Sequence, residues 1–176
     1  DYYDPYLEYA LTKNIHSIKG GLDKINFKAD VVILSHVIEH WNNFEKKIQN
    51  LINIQKKNQT LNYIEFPGLD SIKNGRHECD ILGDIQVPHN YYFTSYVFEN
   101  LMNRYGFEKM YIDSFIKSIF VYTGVKKKLT NYFEICKNDL ILSEQKRKIV
   151  IFKKLIKTII PNFILKFIEK NKKVEY

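Results

Sequence analysis

The sequence predicts an α/β fold: a mainly parallel sheet ending in an antiparallel hairpin, followed by C-terminal basic amphipathic helices. Three observations predict it. The run Asp30-Val31-Val32-Ile33-Leu34 is short, apolar and β-branched, as strands covered on both faces are. Two segments of helical period, 44–52 and 94–105, alternate with it and with a second apolar run at 60–66. Two strand-like segments, 107–113 and 115–122, then follow one another with only a tight turn between, so the last pair is antiparallel. With 176 residues, 45% hydrophobic and 15% aromatic, the chain can build one core and is too apolar for a disordered segment.

The elements follow in order. Asp4 can cap free amides and Pro5 suits a first helical position, so a helix opens over 4–10. Residues 15–18 make a short strand with Gly20-Gly21 as its exit loop. The strand at 30–34 is expected near the middle of the sheet. Beyond it, Phe44, Ile48, Leu51 and Ile52 share one helical face, with Lys46, Lys47 and Gln55 away from it. The strand at 60–66 is stopped by Pro67-Gly68. A long loop rich in Asp, Gly and His spans 69–90, and loops of that length tend to be functional. Thr94 caps the next helix, which turns Val97, Phe98 and Leu101 inward and stops at Gly106.

The net charge of +7 is unevenly distributed. Residues 1–124 hold 13 Lys+Arg against 15 Asp+Glu, a balance of −2, whereas residues 125–176 hold 14 against 5, a balance of +9. The tail interleaves Lys146, Arg147, Lys148, Lys153, Lys154, Lys157, Lys166 and Lys170 with apolar residues. Ile149, Phe152, Ile156 and Ile159 fall on one helical face, and Pro161 divides residues 143–173 into two helices. Such helices either lie in an anionic bilayer interface or pack on the sheet or a second subunit with their lysines in water. Nucleic acid ranks below a membrane as a partner, because the tail has few aromatics and the segments around the expected site are neutral to acidic.

No apolar run approaches the roughly 18 residues of a membrane-spanning helix, and no signal-peptide pattern is present. Cys79 and Cys136 lie far apart without a CxxC pair, which points to a reducing compartment and a cytoplasmic location.

In such a sheet the ligand site lies beyond the carboxyl ends of the strands. Residues 20–23, 35–40 and 67–89 occupy that edge and carry His36, Glu39, His40, His77 and His89. The run His36-Val37-Ile38-Glu39-His40 matches the H-x-x-E-H zinc-peptidase motif. That chemistry needs both imidazoles on one face of a regular helix. His36 comes two residues after an apolar strand, where a loop or first turn is expected, so no metal ligand is assigned on this match.

The string Asp30-Val-Val-Ile-Leu-Ser-His-Val-Ile-Glu-His40 resembles the strand-four segment of class I S-adenosylmethionine-dependent methyltransferases, a Rossmann-like family. Further matches follow the family's order: Asp1-Tyr2 with Tyr6-Leu7-Glu8-Tyr9-Ala10, then Tyr63-Ile64-Glu65-Phe66-Pro67-Gly68, then His89-Asn90-Tyr91-Tyr92-Phe93-Thr94 ahead of a helix ending in Gly106-Phe107. The resemblance covers residues 1 to about 124, leaving 125–176 as a basic helical extension. It implies that Asp1 accepts hydrogen bonds from the cofactor ribose and that Gly21 and Leu22 line the adenine, with the usual nearby acid either displaced to Asp23 or absent. It also implies that Leu34, Ser35 and His36 pass beside the methionine part, and that His40 and Trp41 wall the pocket. The family's glycine-rich first loop would precede Asp1, so the chain is expected to be the C-terminal portion of a longer methyltransferase.

The implied chemistry is methyl transfer from S-adenosylmethionine to a small-molecule, sugar or glycolipid-type acceptor, on the inner face of a membrane if the tail binds one. The acceptor must be aligned and water excluded, and a hydroxyl acceptor gains from a general base. His36 and His89 are the candidates, since imidazole titrates near neutrality. Glu39 and Glu65 are expected to fix loop geometry, while His77 and Asp80 sit where substrate contact is plausible. The competing readings are a non-catalytic Rossmann-like docking module and, behind it, an H-x-x-E-H zinc hydrolase.

Overall fold

The computed structural model describes Lys13, Ile18, and residues 20–85 and 87–159. The expected helix over 4–10, the strand at 15–18, Asp1, Pro161 and the second tail helix lie outside these residues, Ile18 alone excepted.

The chain builds β1 (Val31–Ser35), α1 (Phe44–Asn53), β2 (Leu61–Glu65), α2 (Asp70–Lys73), α3 (Ser95–Arg104), β3 (Phe107–Ile112), β4 (Lys117–Tyr122) and α4 (Phe133–Ile159). Its four strands form one mixed sheet in the order β1-β2-β4-β3. β1 and β2 pair in parallel, with Val31 opposite Leu61 and Ser35 opposite Glu65. β4 pairs antiparallel with both β2 and β3. The α/β class and the terminal hairpin are therefore as expected, but a mainly parallel sheet is not what these strands make. β4 inserts between β2 and β3 instead of extending the edge, so two of the three pairings are antiparallel.

The position of β1 also differs from expectation. Among the described residues it is an edge strand, and its burial alternates, with Val32 and Leu34 inward and Val31 and Ile33 exposed at 55% and 68%. A run of β-branched residues reads as covered on both faces, yet the described residues cover only one. The core lies against that face: Val32, Leu34, Ile64 and Phe120 from the sheet pack with Ile48 and Leu51 of α1 and Phe98 and Met102 of α3.

Local chemistry sets the helix ends. Asn43 accepts a hydrogen bond from the Lys46 amide to cap α1, and Thr94 accepts one from Val97 to cap α3. The buried Asp70 carboxylate adds bonds from the Ser95 amide and hydroxyl, at 3.1 and 2.5 Å. Gly106 ends α3 at φ +85°, where a Cβ would lie 2.9 Å from the Gly124 Cα. Within the core, Gln55 and Asn62 exchange amide hydrogen bonds of 3.0 and 2.8 Å, and both are buried. The segment read as one long loop contains α2 and a 3-10 turn over Arg76–Cys79.

α4 is one helix starting at Phe133, earlier than the tail pattern suggested. It docks through polar side chains: Lys73 pairs with Asp139 at 2.7 Å, Lys146 donates to the Lys73 carbonyl at 2.8 Å, and Lys154 meets Glu78 at 2.6 Å. Ile149 and Phe152, on the expected apolar face, stay exposed at 53% and 63%. Both described cysteines are free thiols. Among the described residues, no helix is long and apolar enough to cross a membrane.

Candidate functional site

The carboxyl ends of β1 and β2 carry the site. Pairing continues one residue past β1, where the His36 amide donates to the Glu65 carbonyl at 2.9 Å. The chain then turns sharply, with His36 at φ +52°, a left-handed conformation rare for a side-chain-bearing residue and often found where function requires it. A 3-10 turn over Ile38–His40 follows, anchored by the fully buried Ile38.

Two cavities open on either side of this turn. The larger, about 280 Å³, is lined by Gly21, Leu22, Leu34 and Trp41 together with Ile18, Gly20, Ile25, Val37 and Lys47. Gly21, Leu22 and Leu34, three of the expected cofactor contacts, thus share one hollow, and Trp41 stands at its wall. Lys47 carried no sequence signal for this role, because its spacing on α1 reads as a solvated face. Asp23 lies in the adjoining 3-10 turn and its nearest charge partner is Lys24, at 3.7 Å.

The smaller cavity, about 120 Å³, is lined by His36, Glu65, Phe66, Pro67, Arg76, Phe115 and Lys117. Ser35 belongs to this side, since its hydroxyl donates to the Glu65 carboxylate at 2.7 Å. Tyr63 donates to the other Glu65 oxygen at 2.5 Å. Those two bonds, the Tyr63 one foremost, hold the Glu65 carboxyl below its ordinary range, while the same contact pushes the Tyr63 phenol up. Arg76 pairs with Asp84 and sits 5.8 Å from the centre of the Phe115 ring. Arg76 and Lys117 reach the site from the loop and the hairpin, a convergence that no local spacing encodes.

The histidines among the described residues divide into two groups. His77 keeps to its own loop, with Nε2 3.3 Å from Asp84 Oδ1, and the Asp80 carboxylate accepts from the Leu82 amide within the same loop. His36, His40 and His89 gather around Glu39. Glu39 is 1% exposed, with His36 Nδ1 3.3 Å and His40 Nε2 3.8 Å from its Oε1. His89 packs edge-on against His40, their ring centres 4.7 Å apart. Asn90 brings it there: the Asn90 and Tyr91 amides donate to the Glu39 carbonyl, and the Asn90 side chain donates to the His40 carbonyl.

The H-x-x-E-H run does not take the regular helical form of the zinc-peptidase motif. His36 precedes the 3-10 turn in a left-handed conformation and His40 ends it, so the two do not share a face of a regular helix.

Comparisons of the chain with protein-family models, with curated proteins and with solved structures gave no match.

Proposed function

We propose that the chain forms the C-terminal part of a Rossmann-like methyltransferase site that binds S-adenosylmethionine and methylates a small-molecule, sugar or glycolipid-type acceptor. The observation that carries this reading is the larger cavity, because Gly21, Leu22 and Leu34 line it together with Trp41 although they come from separate segments. Its mostly apolar wall and its place beyond the β1 carboxyl end suit a nucleoside ring. In this reading Asp1, which lies outside the described residues, holds the ribose, Leu34, Ser35 and His36 pass beside the methionine part, and His40 and Trp41 wall the pocket.

S-adenosylmethionine supplies a methyl group already activated by its sulfonium. The protein's part is then to seat the acceptor in the smaller cavity, where Arg76, Lys117 and Glu65 offer hydrogen-bond and charge partners. His36 is the better placed of the two candidate bases. Its ring lines the smaller cavity, where the acceptor would sit, and can receive the acceptor proton there.

Trp41 is the sole tryptophan, so binding can be read directly from its emission. S-adenosylhomocysteine titrated into the chain, with its natural upstream segment joined, is expected to change Trp41 fluorescence saturably. Gly21→Val, which fills the cavity, weakens that binding by tenfold or more, or about 1.4 kcal/mol. A folded protein with no saturable response would remove the enzyme reading and leave the docking module.

The tail is proposed to touch an anionic membrane surface, because α4 docks through polar side chains and leaves Phe152 63% exposed among its lysines, whereas Ile149 lines a hollow against α2 and the 3-10 turn over Arg76–Cys79. Sedimentation with vesicles is the check. Anionic vesicles should carry the protein down and neutral ones should not, and Phe152→Glu should release it. Indifference to vesicle charge would assign the helix to protein packing.

A further inference from the structure

Glu39 presents an unusual arrangement. Its carboxylate is buried, yet neither oxygen has a hydrogen-bond partner. A carboxylate taken out of water without donors is costly, and such groups in folded proteins are paired, protonated or bound to a cation. The nearest groups are imidazoles, and the orientation of one of them favours a cation. The His40 Nδ1 lies 3.0 Å from the Pro88 carbonyl, an acceptor only, so Nδ1 carries the proton of the neutral ring. His40 Nε2 therefore turns a lone pair toward Glu39 Oε1.

Glu39, His40 and His89 each offer a ligand atom, and these atoms all lie within 4.8 Å of one another. We propose that these three residues form a binding site for a divalent transition cation of the zinc class. Two imidazole nitrogens and one carboxylate oxygen form a donor set for such ions, and the bond from His40 Nδ1 to a carbonyl is the outer contact that commonly orients a metal-binding imidazole. Bonds of 2.0–2.2 Å put neighbouring ligand atoms about 3.5 Å apart, so the widest pair closes by about 1 Å. His40 and His89 are partly exposed and can make that adjustment without disturbing the core. Three protein ligands leave a coordination position open toward solvent.

This ligand set differs from the zinc-peptidase pattern, because His36 is replaced by His89 from the segment that Asn90 fastens to the 3-10 turn. The site does not depend on the methyltransferase reading.

The test is calorimetric titration of Zn²⁺ into the metal-free full chain without nucleotide, with Mg²⁺ in a parallel arm. One equivalent of Zn²⁺ should bind saturably and far more tightly than Mg²⁺. His40→Ala, His89→Ala and Glu39→Gln should each weaken binding at least tenfold, whereas His77→Ala leaves it unchanged. Circular dichroism establishes folding, and His40→Gln combined with His89→Gln serves if an alanine variant unfolds. Absence of saturable binding, wild-type affinity in a folded His40 and His89 double variant, or loss on His77→Ala would each overturn the proposal. Because nucleotide binding is measured separately in the presence of chelator, failure of the cation site and failure of the cofactor reading are distinguishable.

Discussion

Phe98→Ala is expected to lower the unfolding free energy by about 3–5 kcal/mol, a large share of the 5–15 kcal/mol typical of a domain. Phe98 is fully buried on α3, and its ring stands edge-on to Phe66 at 4.9 Å and to Phe120 at 5.7 Å, with Phe93 at 5.5 Å. Removing it takes away the apolar contact that joins the helix to β4 and to the residue following β2, and the rigid rings around it can fill the hole only in part. Urea denaturation of the variant measures the loss. A change below about 1 kcal/mol would mean that the surrounding rings collapse into the space.

Gly68→Ala is expected to cost about 1–3 kcal/mol, the range for forcing atoms into filled space. An added Cβ would press on the Ser114 carbonyl oxygen and lie 2.8 Å from the Ile116 Cγ1. Backbone cannot swing aside as a lysine end can, so either the β3–β4 turn or the 66–68 segment must move. Both border the smaller cavity, through Phe115 and through Phe66 and Pro67. The variant should therefore lose thermal stability and disturb the His36 environment together, which NMR of the imidazole protons can read. Unchanged stability and an unchanged His36 signal would show that the turn yields freely.

The elements built on local pattern were legible in the sequence. β1, α1, β2, α3 and the hairpin fall within a residue or two of the expected spans, because apolar period, Thr94 and Gly106 act over short distances. What escaped depends on contacts between distant segments. The insertion of β4 beside β2 is a pairing choice that no single strand's composition reveals. β1 reads as a central strand from its β-branched run, while the described residues cover only one of its faces.

The site shows the same division. Leu34 and His36 sit at the end of β1, where the strand reading put them, but they face different cavities, Leu34 the larger with Gly21 and Leu22 and His36 the smaller. The left-handed turn at His36 had no glycine to announce it. His89 joins His40 only because Asn90 bonds across to the 3-10 turn, and Arg76 comes to the smaller cavity by way of a loop whose short helices lacked a readable period. On α4 the side that faces the protein is set by Asp139, Lys146 and Lys154 meeting Lys73 and Glu78, contacts that the apolar spacing of the tail does not encode.

The amide pair of Gln55 and Asn62 has a consequence for folding errors rather than for native stability. If β2 slid one residue along β1 or β4, Asn62 would turn to the opposite side of the sheet and the Gln55 amide would be stranded in the core. Each orphaned amide group carries a penalty of about 1–3 kcal/mol, so a misaligned sheet starts at a disadvantage that an all-apolar interior would not impose. The pair thus works as an editing device: it adds little to the correct structure and taxes its nearest rivals.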